Sequence, residues 1–213
     1  DPQNTQSPLA NPNIMVTGSS GKGKTQLLKY LICSIRDQGK NVLIIDFRND
    51  FAPDKEFIRQ ASLNCAYVSY YGLPFNPLIP SPNQHPHLNK EVVQIEPHIT
   101  GLAGVFDKSY VLGDIQEVEL KNAIRQAFRE SEIETQGAPE FDQKWVFPDM
   151  NKVGEILKSF ESSEAEKVYA RLDEIFHLNL FRPEFSQVSF ETLLKQSTII
   201  DLSKMNEETS ATI

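Results

Sequence analysis

Residues 14–25 open with a short apolar run, Ile14-Met15-Val16-Thr17, and continue as Gly18-Ser19-Ser20-Gly21-Lys22-Gly23-Lys24-Thr25. The run has the pattern of a buried strand that stops at Gly18. From Gly18 to Thr25 the chain fits G-x-x-x-x-G-K-[ST] at every fixed position, with a helix-like segment directly after it. A phosphate loop needs this composition for a physical reason. Glycines let successive backbone N–H groups face one phosphate, and the helix N-terminus behind them adds partial positive charge. On this reading Ser20, Gly21, Lys22, Gly23, Lys24 and Thr25 bind a nucleotide. Lys24 serves the β- and γ-phosphate oxygens and is the catalytic residue of the set, while the Thr25 hydroxyl serves Mg²⁺. Lys22 either adds charge at the phosphates or is a solvated lysine.

Working outward, Leu27, Leu28, Leu31, Ile32 and Ile35 fall at helical spacing between Lys24 and Gln38. Gly39 stands where a C′ glycine closes a helix, with Arg36 in the last turn. Val42-Leu43-Ile44-Ile45 is a second apolar run, ending at Asp46. Strand, helix, strand is one βαβ unit, so the sheet is at least partly parallel and buried on both faces. A short helix is expected from Pro53 to about Ala61, then a third strand at Cys65-Ala66-Tyr67-Val68. Pro74, Pro77, Pro80, Pro82 and Pro86 make residues 72–86 a rigid connector, neither helix nor central strand.

The stretch from Leu88 to Phe181 reads as mostly helical. Asp114 with Glu117 resembles a capping box for a helix through about Arg129, buried through Ile115, Val118, Ala123, Ile124, Ala127 and Phe128. Asp149 is placed to cap a helix through Phe160. Ser163 with Glu166 is placed to cap another, buried through Val168, Leu172, Ile175 and Phe176. Residues 132–147, with Gly137 and Pro139, read as an exposed loop. Thr198-Ile199-Ile200-Asp201-Leu202 returns as a strand. Asn206 before Glu207 and Glu208 looks like a helix cap close to Ile213, the expectation being a piece of a larger, incomplete domain.

Composition narrows the function classes. Lys and Arg total 21 against 29 for Asp and Glu, a formal charge of −8, so the chain is no general polyanion binder. Two cysteines, Cys33 and Cys65, make no disulfide framework and fit a reducing cytoplasm. No apolar run reaches the ~18 residues of a membrane span. The polar, proline-containing lead-in at residues 1–13 has no secretory pattern.

Two apolar runs end in aspartate. Asp46 either lies near the nucleotide or caps its strand. Asp201 is followed by Leu202-Ser203 rather than by a glutamate able to polarise water, and reads as a strand end. Asn151-Lys152-Val153-Gly154 fails the guanine-binding N-K-x-D pattern at its last residue. His85, His87, His98 and His177 show no metal-ligand spacing. Arg125, Arg129, Arg171 and Arg182 are candidate trans-acting fingers, with solvated charge as the plainer reading.

Several stretches together resemble the FtsK/HerA superfamily of hexameric DNA-pumping ATPases. They are Asn11 to Gly18 leading into the loop, Val42 to Asp46, Leu73-Pro74-Phe75-Asn76-Pro77-Leu78, and Ile199-Ile200-Asp201-Leu202-Ser203. A narrower resemblance is to the motor component of DNA phosphorothioation-dependent restriction. The resemblance implies an α/β, RecA-like P-loop NTPase with a mainly parallel sheet and a helical insertion. It implies ATP and Mg²⁺ as cofactors, Asp46 near the nucleotide edge, and DNA as the partner of a homo-oligomeric ring, a hexamer in that superfamily. Nuclease or other restriction subunits are further partners, and no membrane is involved. Residues 1–84 are then the N-terminal part of the core, 85–184 the insertion, and 185–213 the returning strand and the start of a helix.

No Walker B acid pair or sensor residue is found in these residues, so this chain alone is expected to hydrolyse ATP poorly. A P-loop small-molecule kinase with a helical lid is the alternative enzyme. A nucleotide-dependent scaffold is the non-enzymatic one.

Overall fold

In the computed structural model Lys24–Asp37 forms helix α1, as the spacing of its leucines predicts. Gly39, at φ 71°, reverses the chain. Its N–H donates to Arg36 O at 2.7 Å and that of Lys40 to Ile35 O at 3.3 Å, the two bonds of a Schellman closure. The described residues are 14–52, 55–60, 65–68, 72–84, 87, 90–142, 144–177 and 179–203, with backbone alone at 59–60 and 65–68. The lead-in, Pro53, Ala61, His85 and the Asn206 cap lie outside them. Residues 1–40 and 41–213 are two compact units.

In the first unit the strand expected at Ile14–Thr17 is not formed. A strand exists only as one side of a hydrogen-bonded ladder, and this unit has no second strand among its described residues.

The second unit is built on a parallel sheet of β1 (Leu43–Asp46), β2 (Cys65–Val68) and β5 (Ser197–Asp201), in the order β1-β5-β2. Helix α2 (Glu56–Gln60) lies between β1 and β2 in the chain. Strand β5 is paired on both edges and buried throughout. Its one central polar side chain, Thr198, donates Oγ1–H to Leu193 O at 2.9 Å. Burial of β1 on both faces was the expectation. Instead it is an edge strand, with Ile44 and Asp46 buried and Leu43 and Ile45 exposed.

Between β2 and β5 the chain makes a small hairpin, β3 (Asn83–Gln84) with β4 (Glu91–Val92), and a helical layer. That layer contains α3 (Ile95–Tyr110), α4 (Asp114–Glu130), α5 (Met150–Ser159), α6 (Ser163–Arg171) and α7 (Asp173–His177). Helix α4 packs against α3, α5 and α6. Phe106, Leu120, Ile124, Phe128 and Leu157 form its fully buried centre. A last turn, α8 (Phe190–Leu193), precedes β5.

Three local expectations are corrected. Helix α4 is capped one residue early: Gly113 is the N-cap, and its N–H donates to Gln116 Oε1 at 3.4 Å. The buried face therefore runs through Gln116, Leu120 and Ala123, leaving Ile115 and Val118 exposed. Likewise Ser162, not Ser163, caps α6, and the chain breaks at Leu172 so that Ile175 and Phe176 belong to α7. Residues 132–147 are not simply exposed, since Ile133, Thr135 and Phe147 are buried and Glu140 bridges to Val92. The Asp149 cap stands, its Oδ1 accepting from Lys152 N at 2.9 Å.

The proline-rich connector is fixed by Asn76, 2% exposed. Its Nδ2 donates to Pro148 O at 2.6 Å and to Ser186 O at 2.7 Å, while Oδ1 accepts from Leu78 N at 2.9 Å. Three separate segments meet at one side chain. Beside it, Leu73 forms a parallel bridge with Phe181.

Candidate phosphate site

The glycines of the loop carry the conformations its sequence calls for. Gly21 lies at φ 75° and Gly23 at φ 84°, left-handed values that other residues rarely adopt, and a Cβ at either would meet open space. Backbone shape, not crowding, is thus what calls for glycine here. Gly23 is the N-cap of α1, and Leu27 N–H makes the first helical bond to its carbonyl at 3.0 Å. A glycine has no side chain with which to cap, and the first turn holds no acidic residue. The leading N–H groups of an α-helix have no partner within it, and no carboxylate of the first turn of α1 offsets its positive end.

Lys24 folds back over the loop. Its Nζ donates to Gly18 O at 2.6 Å and Ser19 O at 2.8 Å. Those bonds hold the ammonium against the start of the loop. Thr25 follows in the first helical turn, and Ser20 and Lys22 lie on the exposed rim. Exposed donors, one tethered ammonium and one hydroxyl suit the triphosphate of a nucleotide with its metal. Among the described residues no cluster of His, Cys, Asp or Glu could hold a metal. Mg²⁺ at a phosphate loop is held through phosphates, water and a hydroxyl rather than a protein cage.

Asp46 stands at the end of β1, 4% exposed. Its Oδ1 accepts from Arg48 N at 3.0 Å and its Oδ2 from Phe51 N at 2.8 Å, the work of a strand-end cap. Asp201 does the same at the end of β5, accepting from Ser203 N at 3.0 Å.

The candidate arginines are mostly engaged within the fold. Arg125 pairs with Glu96 at 3.0 Å, and this hydrogen bond holds the Glu96 carboxyl below its usual range. Arg171 donates to the carbonyls of Tyr110, at 2.9 Å, and Val111, closing the C-terminus of α3. Arg182 pairs with Glu184, and Arg129 is exposed on α4. His177 pairs with Asp173 at 2.6 Å, and Lys152 with Glu130 at 2.7 Å. Sequence reasoning missed Asn76 as a staple and Gln116 as a cap. The first was visible only as part of a motif, and the second was masked by an equally good pattern one residue later.

Comparison with known proteins adds the family. The family model for the central domain of the helicase HerA matches residues 8–213. None of the curated proteins compared with the chain matches it. A solved structure, VirB4 of Thermoanaerobacter pseudethanolicus, superposes with a TM-score of 0.55 at 21% identity. The match covers 90% of this chain and 50% of that one, so the chain spans about half the length of VirB4. At this identity the likeness speaks for the fold. No described helix is long and apolar enough to cross a membrane.

Proposed function

The chain belongs to the family of the HerA helicase central domain, and we propose that it is the nucleotide-binding part of a motor that couples ATP hydrolysis to movement along DNA. The observation that carries this reading is the loop itself, with Lys24 tethered over it and no acid in the first turn of α1.

The chain's own groups divide the work. Loop N–H groups from Ser20 to Lys24 hold the β-phosphate, and the start of α1 favours its charge. Lys24 exchanges the carbonyls of Gly18 and Ser19 for phosphate oxygens, where it offsets charge that grows in the transition state. The Thr25 hydroxyl would help hold Mg²⁺, which would supply neutralising positive charge at the phosphates. A role for Asp46 at the nucleotide edge is what the family resemblance implies, and in its own unit the carboxylate caps its strand end.

Residues 1–84 and 185–213 belong to the ATPase core, and 85–184 are an insertion. A homo-oligomeric ring, a hexamer in the family resemblance, reconciles an acidic chain with a polyanionic track: a few basic loops lining one pore are sufficient. Placement in cytoplasmic DNA restriction or phage defence, with a nuclease as partner, rests on the narrower resemblance. The internal partners of Arg125 and Arg171 favour the motor over a kinase lid, which needs free cations over its substrate.

The test is steady-state ATP hydrolysis by the full-length protein with and without duplex DNA, with Lys24→Ala as control. Acceleration by DNA that vanishes in the variant supports the motor. An equal rate with and without DNA overturns it.

A further inference from the structure

The net charge of the chain is concentrated in one part of it. Residues 95–177, the helical layer from α3 to α7, hold 17 of the 29 Asp and Glu but only 9 of the 21 Lys and Arg, a balance of −8. The remaining residues hold 12 of each and are neutral. The whole formal charge of −8 therefore belongs to the layer.

None of these charged side chains of the layer is buried, so the charge faces solvent. Its bases are largely engaged within the fold. Lys121 pairs with Glu117 at 2.7 Å, Arg125 with Glu96 at 3.0 Å and Lys152 with Glu130 at 2.7 Å, and Lys167 pairs with Glu164. Arg171 is held by the carbonyls of Tyr110 and Val111, and Lys158 lies over the Tyr169 ring at 4.3 Å. The surplus acids are not compensated in this way. Glu132, Glu134, Glu161 and Glu166 are exposed and have no basic partner among the described residues.

Duplex DNA carries about one negative charge per 1.7 Å of its axis. A surface gains from touching it when its bases release counterions, and loses when it brings carboxylates against phosphates. The layer has the second composition, with most of its few bases already paired. At physiological salt the repulsion is screened beyond about 8 Å, so it acts on what touches DNA rather than on the chain as a whole. One molecule can thus carry a repelling layer and still hold DNA elsewhere. We propose that the helical layer takes no part in the DNA path, and that the DNA contacts of this chain come from residues 1–94 and 178–213. The inference rests on the reading of the protein as a DNA motor, and removes the insertion from the track of that motor.

Lysine footprinting of the full-length protein tests this without altering it. Surface amines are acetylated with and without duplex DNA, and the protected positions are read by mass spectrometry. Exposed lysines stand on both sides of the comparison, Lys108 and Lys144 in the layer, Lys55 and Lys195 outside it. Lys108 and Lys144 are expected to react equally with and without DNA, and protection is expected among the lysines outside the layer. Protection of Lys108 or Lys144 overturns the proposal, and so does protection of no lysine in residues 1–94 and 178–213. DNA-stimulated ATP hydrolysis is measured in the same samples. Its absence brings down the motor reading itself, whereas stimulation together with a protected layer brings down this inference alone. A second measurement uses the variant combining Glu132→Gln, Glu134→Gln, Glu161→Gln and Glu166→Gln. Its affinity for duplex DNA is expected to stay within about twofold of the parent at physiological salt. Tightening of about tenfold or more, with a steeper salt dependence, would place these carboxylates against DNA and overturn the proposal.

Discussion

Asp46 and Asp201 are register partners at the ends of adjacent parallel strands, and each carboxylate accepts a backbone N–H from the turn that follows it. Two runs that look alike in sequence, Leu43-Ile44-Ile45-Asp46 and Thr198-Ile199-Ile200-Asp201, thus end in the same device. Removing the Asp46 carboxylate strands one buried N–H group, that of Phe51, and one part-buried, that of Arg48. Asp46→Ala is expected to cost about 2–4 kcal/mol, and Asp46→Asn less, because one acceptor oxygen remains. Urea denaturation of both variants checks the order. Equal stability of Asp46→Ala and the parent would remove the capping role.

Asn76 holds the connector to Pro148 and Ser186 while supporting the turn at Leu78. Asn76→Ala leaves a buried carbonyl, a part-buried carbonyl and a buried N–H without this partner, with an expected loss of about 2–4 kcal/mol. Asn76→Asp is expected to be as damaging, since it replaces the amide donor by a buried acceptor. Thermal unfolding distinguishes this from a surface asparagine, whose replacement would leave Tm nearly unchanged.

The limits of the sequence reading have identifiable causes. Helix α1 was legible because all its signals are local: leucine spacing, Gly23 before it and Gly39 after it. Strands β1 and β5 were legible as apolar runs ended by Asp46 and Asp201. The loop's glycines and Lys24 were legible for the same local reason. Periodicity finds a stripe but cannot say which of two adjacent stripes faces the core, so Ile115 and Val118 were misplaced while Gln116 and Leu120 were overlooked. Phe141, Trp145 and Phe147 sit among polar residues, and the groups that hold this segment, Phe128 and Gln187, stand elsewhere in the chain. Asn76 belongs to the same class. Its three partners lie in three segments, and no spacing rule connects them.

Val111 ends α3 in the left-handed region, at φ 52°, with its side chain 75% exposed. A β-branched residue there carries strain of about 1–2 kcal/mol that no packing offsets. Val111→Gly is expected to raise stability by about 0.5–1 kcal/mol, after allowing for the extra freedom glycine has when unfolded. A lower Tm for Val111→Gly would mean that the valine side chain contributes packing.

His98 is a pH-sensitive element of the helical layer. Its Nε2 lies 2.9 Å from Pro77 O, and burial pushes its imidazole below the ordinary 6.5 despite that bond. The unfolded chain therefore takes up this proton at a higher pH than the folded one. The contribution to stability is present above about pH 6.5 and is lost as pH falls below it, by at most about 1.4 kcal/mol per pH unit. His98→Gln keeps a donor toward Pro77 without the titration. Its urea midpoint should fall less than the parent's between pH 7.5 and 5.5, and parallel falls would contradict the assignment.

The central claim is that the loop from Gly18 to Thr25 binds the phosphates of a nucleotide through Lys24. Its most direct test is calorimetric titration of Mg·ATP into the parent chain and into Lys24→Ala. The account expects one saturable site in the parent and at least about tenfold weaker binding in the variant, the loss of one charge-assisted phosphate contact. Equal affinity in the two proteins, or no binding to the parent, would contradict it.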